Sequence, residues 1–154
     1  MNWPIMTGVV AVYGALLSTW NAVAKHLENR RTVKVKISFG FETYGARTGP
    51  TAIFITAVNN GLRSITLSGA GVRLPDNRNT VHFAPSGTAR FPHTLESGNT
   101  CFTSIPCREL ASAVKGAGFS GRVKLTGFHR DALDKTFTSK RFEFDVDKWA
   151  MATD

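Results

Sequence analysis

The sequence predicts a mainly β fold, an antiparallel sandwich of about seven strands with one short crossover helix, preceded by an N-terminal transmembrane helix. Residues 4–24 contain no Asp, Glu, Lys, Arg or His. The roughly 125 residues that follow, a length typical of one domain, contain short alternating apolar and polar stretches separated by turn residues. In that part of the sequence only residues 107–116 have helical periodicity.

The charge-free stretch at residues 4–24 is long enough to cross a bilayer as a helix. At about 1.5 Å per residue it spans roughly 30 Å, the thickness of the hydrocarbon layer. Trp3 and Trp20 are spaced to lie at the two membrane interfaces. The expected organisation is a transmembrane helix over residues 1–24, a basic juxtamembrane linker over 25–31, a β-sandwich domain over 32–147 and a C-terminal tail over 148–154.

Small residues recur every three or four positions in this helix and line one of its faces. They are Gly8, Ala11, Ala15, Ser18 and Ala22. A small-residue face allows another helix to approach closely, so it predicts pairing with a partner protein or a homo-oligomer. Small residues are also common in membrane helices that do not pair, and the sequence leaves that alternative open.

Two other interpretations of the N-terminal stretch were weighed against a retained anchor. The tripeptide Ala22-Val23-Ala24 resembles a signal-peptidase site, after which a secreted product would begin at Lys25. However, a signal peptide requires a positively charged segment before its apolar run, and here no Lys or Arg precedes that run. An amphipathic helix packed on a soluble domain would carry charge on one face, whereas the side chains of residues 1–24 carry none. A retained anchor is the preferred interpretation.

Cations on the C-terminal side of the stretch predict its orientation and a contact with anionic lipid. They are Lys25, Arg30, Arg31, Lys34 and Lys36. The positive-inside rule then places the C-terminal domain in the cytoplasm, with a single membrane pass. The net charge of +8 indicates attraction to a polyanion, for which the inner leaflet is the simplest candidate. A solvated strand face is the alternative for Lys34 and Lys36.

Strict alternation predicts the first strand over residues 33–41. Its inward side chains should be Val33, Val35, Ile37, Phe39 and Phe41. A second strand is expected over residues 52–58, ending at the turn Asn59-Asn60-Gly61, whose residues tolerate positive φ. A third is expected over residues 64–74, where Gly69 and Gly71 predict a bulge or a close approach of another backbone segment.

The rest of the domain follows from the same signals. Further strands are expected at residues 80–84, 99–105, 121–128 and 136–146. Turns or loops are expected at residues 75–77, 85–87 and 131–135, and Pro92 confines any strand around it to a sheet edge. The helix at residues 107–116 should bury Leu110 and Val114 and end at Gly116 or Gly118. Residues from 147 onward are expected to be frayed.

The order of these pieces resembles a known architecture. The motifs are Asn59-Asn60-Gly61 followed by Ser64-Ile65-Thr66-Leu67, and then Pro-His-Thr-Leu-Glu-Ser-Gly at residues 92–98 before a strand. They resemble the rhythm of bacterial immunoglobulin-like and fibronectin-type-III-like domains. The whole layout resembles small uncharacterised bacterial membrane proteins with one N-terminal helix, a basic juxtamembrane stretch and such a sandwich. The resemblance implies an immunoglobulin-like sandwich and no particular activity. Those proteins often carry Asp-Gly in the last hairpin, where this chain has Asp134-Lys135.

The sequence contains no recognisable catalytic, cofactor or metal motif, so a non-enzymatic protein without cofactors is expected. The histidines His26, His82, His93 and His129 lie in unrelated contexts. Neither Cys101 nor Cys107 belongs to a nucleophile motif. In the cytoplasm the two cysteines should be thiols, and a bridge between them is expected only if the domain lies outside.

The preferred function is a membrane-anchored, non-catalytic module that binds or scaffolds a protein through its loops or an open sheet edge. The loops of first interest are 43–51, 75–79 and 85–98. One alternative is a membrane-tethered nucleic-acid-binding protein with a strip of phosphate-facing cations. That strip would contain Lys34, Lys36, Arg122, Lys124, Lys140 and Arg141. Another alternative is an exported sandwich that serves adhesion or envelope assembly.

Overall fold

Ten strands and three helices are found in the part of the chain that the structure describes. The structure is a computed structural model and describes residues 3–28, 32–44, 47–80, 86–87 and 90–151. The helices are α1 (Trp3–Glu28), α2 (Cys107–Gly116) and α3 (Val146–Ala150). The strands are β1 (Val33–Tyr44), β2 (Arg47–Asn59), β3 (Ile65–Arg73), β4 (Asn79–Thr80), β5 (Ser86–Gly87), β6 (His93–Leu95), β7 (Thr100–Pro106), β8 (Arg122–Asp131), β9 (Thr136–Thr138) and β10 (Phe142–Asp145).

The strands form two antiparallel sheets, which confirms a mainly β fold. One sheet has the order β1-β2-β7-β5. The other has the order β10-β8-β3-β4, with β6 paired to β3 and β9 paired to β8. The hairpin of β1 and β2 runs from Val33 opposite Asn59 to Tyr44 opposite Arg47. It is longer than predicted, because most of residues 43–51, expected as a loop, extend the two strands.

Both sheets contribute to one hydrophobic core. It includes Val35, Ile53, Ile55, Leu67, Val72, Leu125 and Phe144. The sheets approach closely at Gly127 of β8, where an added Cβ would lie 2.6 Å from Ile37 Cδ1 and 3.2 Å from Ile55 Cγ2. Because a real Cβ does not tolerate the shorter distance, glycine allows the two sheets to pack here.

Helix α2 occupies the range that periodicity predicted. Leu110, Ala111 and Val114 are fully buried, and Cys107 is 1% exposed. The helix ends before Gly118, which has a φ of +93° and donates its N–H to Lys115 O at 2.9 Å. The apolar stripe and the glycine stop therefore sufficed to define this element.

Helix α1 covers the charge-free stretch but supplies no residue to the hydrophobic core of the described chain. All side chains from residue 11 to residue 23 are exposed, including Leu16 at 65% and Trp20 at 72%. Among the described residues, none of the helices has the length and apolar character that crossing a bilayer needs. The transmembrane helix predicted for residues 1–24 is therefore not found there.

Several strand predictions differ from the structure. Phe39 and Phe41 were expected inward but are 49% and 62% exposed. They lie at the end of β1 where the register shifts, between Phe41 and Thr43, beyond the part that packs on the core. Residues 136–146 form two strands rather than one, since β9 pairs with the C-terminal part of β8 and β10 with its N-terminal part.

Other local predictions are also corrected. The end expected to be frayed from residue 147 includes most of α3, which packs against α2. Asp145 caps α3 by accepting from Lys148 N at 3.1 Å. Ser86 and Gly87, expected in a loop, form β5 beside β7. Of the strand predicted at residues 80–84, only Thr80 is described, and residues 81–85 lie outside the described residues.

The turn at Asn59-Asn60-Gly61 is confirmed, but it forms by a different mechanism from the one expected. None of its three residues has positive φ. Instead, the fully buried Asn59 amide donates to Arg63 O at 2.7 Å and Leu95 O at 3.0 Å, and accepts from Gly61 N at 2.9 Å. The predicted bulge in the third strand is confirmed by a register shift between Leu67 and Gly69.

Candidate basic groove at the sheet edge

A groove of about 560 Å³ lies between β1 and the segment that joins β9 to β10. β1 is the edge strand of one sheet and β10 the edge strand of the other, so the groove follows the side on which both sheets end. It is called the basic groove below. Its lining residues are Val33, Lys34, Val35, Lys36, Ile37, Thr138, Ser139, Lys140, Arg141 and Phe142.

The alternating sequence of β1 gives one wall of the basic groove its mixed character. Val33 and Val35 are buried and Ile37 is half-buried, whereas Lys34 and Lys36 are exposed. Because successive side chains of a strand point to opposite faces, the edge of β1 presents an apolar row beside a cationic row. A ligand in the groove therefore meets apolar surface and positive charge together.

Hydrogen bonds hold the opposite wall in place. Ser139 N donates to Gly127 O at 2.8 Å, and Gly127 N donates to Ser139 Oγ at 3.0 Å. The Ser139 hydroxyl in turn donates to Lys140 O at 2.7 Å. Near the other end of this wall, Phe142 packs edge-on against Phe39 of β1, with 6.1 Å between the ring centroids. The wall is thus attached to both sheets.

The basic groove has a strong positive charge. Four cations line it, Lys34, Lys36, Lys140 and Arg141, and no acidic residue does. None of the four forms an ion pair with a described residue. Neighbouring cations without counter-charges raise the local concentration of anions. The groove is therefore suited to an anionic ligand with apolar parts.

A second cavity of about 420 Å³ adjoins the basic groove and shares Thr138, Ser139 and Arg141 with it. It is called the polar cavity below. Its other lining residues are Arg73, Leu74, Pro75, Asn77, Lys124 and Thr126. It contains two residues of the turn at 75–77, and so involves one of the loops that the sequence analysis singled out.

The structure brings together four cations of the strip that the nucleic-acid alternative predicted. They are Lys34, Lys36, Lys140 and Arg141, and the first two were also predicted to contact anionic lipid. All four line the basic groove. Of the other predicted lipid contacts, Lys25 is exposed near the end of α1, and residues 30–31 lie outside the described residues.

The predicted helix-pairing face of α1 is exposed throughout. Its members are Gly8, Ala11, Ala15, Ser18 and Ala22. A Cβ added at Gly8 would have no neighbour within 4 Å. The face is thus accessible to a second helix, and pairing stays a prediction. Of the two predicted interface residues, Trp20 is exposed and Trp3 is the first residue of α1.

Sequence reasoning missed the polar cavity. Its residues come from β3, β8 and the segment after β9, and the strand register that assembles them cannot be read from one sequence. Arg73 lies opposite Thr126 because β3 pairs with β8. The sequence analysis had placed Lys124 and Arg141 in the nucleic-acid strip and had singled out the loop at 75–79, but neither signal indicated that these residues line one cavity.

The buried titratable side chains lie outside both cavities. His129 is fully buried, donates from Nε2 to Ile55 O at 3.2 Å, and has no partner for Nδ1 among the described residues. Burial lowers the pKa of His129 to about 4, against the opposing effect of the Ile55 carbonyl, so the ring is neutral at pH 7. It links the two sheets as a structural residue.

Both cysteines are free thiols in buried positions. Burial raises the pKa of the Cys107 thiol to about 11 and also raises the pKa of Cys101. Since the thiolate is the reactive form, neither is activated as a nucleophile. In the described part of the chain, no three His, Cys, Asp or Glu side chains lie close enough together to hold a metal ion.

No protein-family model matches the chain, and no curated protein matches it either. The inference of function therefore depends on the geometry and charge of the two cavities and on the exposed surface of α1.

Proposed function

We propose that the chain is a membrane-anchored, non-catalytic binding module. Helix α1 attaches it to lipid, and the β-rich body, as an immunoglobulin-like sandwich on the cytoplasmic side, binds an acidic, extended segment of a partner protein in the basic groove. The observation that carries the proposal is an open strand edge, that of β1, beside four cations without a described counter-charge.

The exposed apolar surface of α1 supports attachment to lipid. Its large exposed side chains are Val12, Tyr13, Leu16, Leu17, Trp20 and Val23. Several large apolar side chains exposed on one helix indicate an interaction site, and the absence of charge over residues 4–24 favours lipid over an aqueous surface. Because α1 ends at Glu28 and β1 begins at Val33, Lys34 and Lys36 then lie close to the lipid headgroups.

The open edge of β1 supports peptide binding by strand addition. In the described chain β1 pairs on one side only, with β2. Backbone N–H and C=O groups on the other side can pair with an extended peptide, while alternate peptide side chains contact Val35, Ile37 or the lysines. Acidic residues in the peptide then face Lys34 and Lys36, and this match of charge gives the interaction its specificity.

Peptides of defined sequence test the binding proposal. The full-length chain in non-ionic detergent is titrated with an alternating Glu-Val hexapeptide, a Lys-Val hexapeptide and a Glu-Pro hexapeptide, and binding is followed by NMR of the backbone amides. The Glu-Val peptide is expected to shift amides of β1 and residues 138–142. The Lys-Val peptide has the wrong charge, and Pro cannot donate to the strand edge, so neither should bind.

A pair of charge reversals provides the matched control. Lys36→Glu should weaken binding of the Glu-Val peptide at least about tenfold, because it removes a cation and adds a charge of the same sign as the peptide's glutamates. Arg63→Glu makes the same change in net charge at an exposed turn outside the groove and should have little effect. Equal effects of the two variants would attribute binding to net charge and would contradict a site on β1.

One observation favours a second candidate, the membrane-tethered nucleic-acid binder. Of its six predicted cations, all but Arg122 line the basic groove or the polar cavity. Binding of single-stranded and duplex DNA or RNA should then be strongest at low salt and fall steeply as salt is raised. An absence of binding at low salt would remove this candidate.

A separate measurement is needed to determine on which side of the membrane the β-rich domain lies. It also tests the alternative that the domain is exported. Because Cys101 and Cys107 are buried, they are poor targets for labelling in the folded protein. A cysteine introduced by Ser120→Cys lies at an exposed position. It should resist an impermeant thiol reagent in intact cells and react after lysis. Labelling in intact cells would place the domain outside.

A further inference from the structure

The polar cavity has a different chemical character from the basic groove beside it. Three cations line it, Arg73, Lys124 and Arg141, and no acidic residue does. Its other polar groups are the hydroxyls of Thr126, Thr138 and Ser139 and the amide of Asn77. Apart from Leu74 and Pro75 its lining is polar, so an apolar peptide side chain has little to contact there.

The strand register makes these groups converge on one face. Arg73 lies directly opposite Thr126 in the pairing of β3 with β8, and Lys124 is two residues from Thr126 on the same face. Thr138 lies opposite Phe128 in the pairing of β8 with β9. Arg141 reaches the cavity from the chain segment after β9. Three separate stretches of chain, 73–77, 124–126 and 138–141, thus surround the cavity, and the first includes the turn that carries Asn77.

Packing and hydrogen bonding determine which groups face a ligand. The Arg73 guanidinium stacks over the Phe128 ring, 5.9 Å from its centroid. The Ser139 hydroxyl already accepts from Gly127 N and donates to Lys140 O. The Thr126 and Thr138 hydroxyls form no hydrogen bond with described residues. The threonines, rather than Ser139, are therefore the hydroxyl donors for a ligand.

The nearby acidic residues do not line the polar cavity. Glu143 lies opposite Lys124 in the pairing of β10 with β8, but forms no ion pair with it and does not line the cavity. Asp76, beside Asn77, is paired with Arg78 instead. Like charges that face one cavity repel each other, and a bound polyanion would relieve that repulsion.

We infer that the polar cavity is a binding site for a phosphoryl group, as a phosphomonoester or a pyrophosphate. Guanidinium groups bind phosphate oxygens through pairs of parallel hydrogen bonds, which is the role assigned to Arg141, while Arg73 contributes positive charge to the cavity. Lys124 supplies a point charge, and Thr126 and Thr138 donate to the remaining oxygens. The cavity, at about 420 Å³, is large enough to admit such a group.

This site is additional to the peptide-binding role of the basic groove, and residues outside the groove allow it to be tested separately. Lys124 and Thr126 line the polar cavity but not the groove. Arg122 is a matched control, because it is exposed two residues before Lys124 on β8 and lies outside the cavity. Its substitution makes the same change in charge on the same face of the sheet.

Titration with simple phosphates is the first arm of the test. The full-length chain in non-ionic detergent is titrated calorimetrically with sodium pyrophosphate and with inorganic phosphate, at ionic strength matched with sodium chloride. One saturable site is expected. Lys124→Gln should weaken binding about tenfold and Thr126→Val about threefold or more, as expected for hydrogen bonds to a charged group. Arg122→Gln should bind as the unmodified chain does.

The second arm distinguishes a soluble phosphate from a lipid headgroup that carries the same chemistry. The chain is reconstituted in phosphatidylcholine vesicles with one-fifth phosphatidic acid, and the phosphorus NMR resonance of phosphatidic acid is followed. A perturbation that Lys124→Gln and Thr126→Val abolish, without binding of soluble phosphates, assigns the site to the lipid headgroup. All of these variants keep α1 unchanged, so a difference between them does not come from α1.

Two results would overturn the inference. One is that pyrophosphate, inorganic phosphate and phosphatidic acid all fail to bind the unmodified chain. The other is binding that Lys124→Gln, Thr126→Val and Arg122→Gln leave unchanged or weaken equally, which would reflect net charge alone. Neither result bears on the peptide experiment, because Lys36 lies in the basic groove and outside the polar cavity.

Discussion

Helices α1 and α2 place similar apolar residues in opposite environments. In α2, Leu110 and Val114 are fully buried, whereas in α1, Leu16 is 65% exposed and Leu17 46% exposed. The other face of α2 carries Arg108, Glu109 and Lys115, while residues 4–24 of α1 carry no charged side chain. Helix α2 therefore stabilises the fold, and α1 has an apolar surface that the rest of the described chain does not cover.

The comparison shows how patterning relates to environment. An apolar stripe beside a charged face predicts burial on one side, and in α2 it predicted the element and its ends. Residues 4–24 of α1 carry no charged side chain, so the pattern does not distinguish a buried face from a solvated one, and an apolar environment around this stretch stays a prediction. The described β body does not provide such an environment, and lipid is the proposed one.

The largest expected difference is between leucine truncations in the two helices. Leu110→Ala should lower the free energy of unfolding by about 2–5 kcal/mol, because it removes fully buried methyl groups and leaves a cavity. Leu16→Ala removes the same atoms from an exposed position and should change the stability of the body by less than about 0.5 kcal/mol. Urea denaturation in detergent, followed by tryptophan fluorescence, measures both. Equal losses would show that α1 packs on the body.

Acidification should weaken the β body but not the attachment of α1. Burial lowers the pKa of His129 to about 4 in the folded protein, whereas an ordinary histidine has a pKa of about 6.5. Above pH 6.5 the ring is neutral in both the folded and the unfolded state, so His129 does not make the free energy of unfolding depend on pH there. As the pH falls from about 6.5 to about 4, only the unfolded state binds the proton, and about 3 kcal/mol of stability is lost.

A variant isolates the contribution of His129 from that of the carboxylates. His129→Leu should flatten the decline in unfolding free energy over that pH range, even if its stability at pH 7 differs. Residues 4–24 contain no side chain that titrates there, so the association of a His26→Gln variant with phosphatidylcholine should stay constant from pH 7 to pH 5. An unchanged pH profile in the variant would refute the assignment to His129.

The glycines of the two regions should also respond differently to alanine. At Gly127 a Cβ would lie 2.6 Å from Ile37 Cδ1, so Gly127→Ala should cost about 1–3 kcal/mol as the sheets move apart. A Cβ added at Gly14 of α1 would have no neighbour within 4 Å, so Gly14→Ala should not destabilise the body. Gly69→Ala in β3 is the matched strand control, since a Cβ added at Gly69 would also have no neighbour within 4 Å. Thermal unfolding of the three variants measures the effect, and Gly127→Ala should have the lowest melting temperature.

The smallest effect is expected in the hairpin of β8 and β9. Asp134 has a φ of 61°, a conformation that glycine adopts without strain. Asp134→Gly should therefore stabilise the body by up to about 1 kcal/mol. The ion pair that is lost, 3.8 Å from Arg130, is exposed and contributes little. A lower melting temperature would show that the aspartate side chain matters more than the backbone strain.

Sequence patterns predicted elements whose environment is set locally. The helix at Cys107–Gly116, the bulge before Gly69 and the turn at Asn59 all follow from the residue types at those positions. The predicted burial of Phe39 and Phe41 was wrong, because alternation identifies the face of a strand but not the point at which the opposing sheet ends. The long β1–β2 hairpin was missed because its middle residues also resemble a loop.

The candidate sites depend on pairings between distant segments. Lys34 and Lys36 were identified as a basic stretch, but their proximity to Lys140 and Arg141 follows from the edge positions of β1 and β10. The polar cavity requires the register that places Arg73 opposite Thr126. Such registers are set by tertiary packing, so one sequence could indicate charge but not the cavity that collects it.

Vesicle flotation is the most direct test of the claim that lipid covers α1. The full-length chain is compared with Leu16→Lys/Leu17→Lys and with Leu62→Lys/Leu133→Lys, whose targets lie on exposed turns of the body. The account predicts that the full-length chain and the body variant float with phosphatidylcholine vesicles, and that the α1 variant stays in the aqueous fraction, because two lysines cost several kcal/mol in hydrocarbon. A full-length chain that remains monodisperse in buffer without detergent and does not float would contradict it.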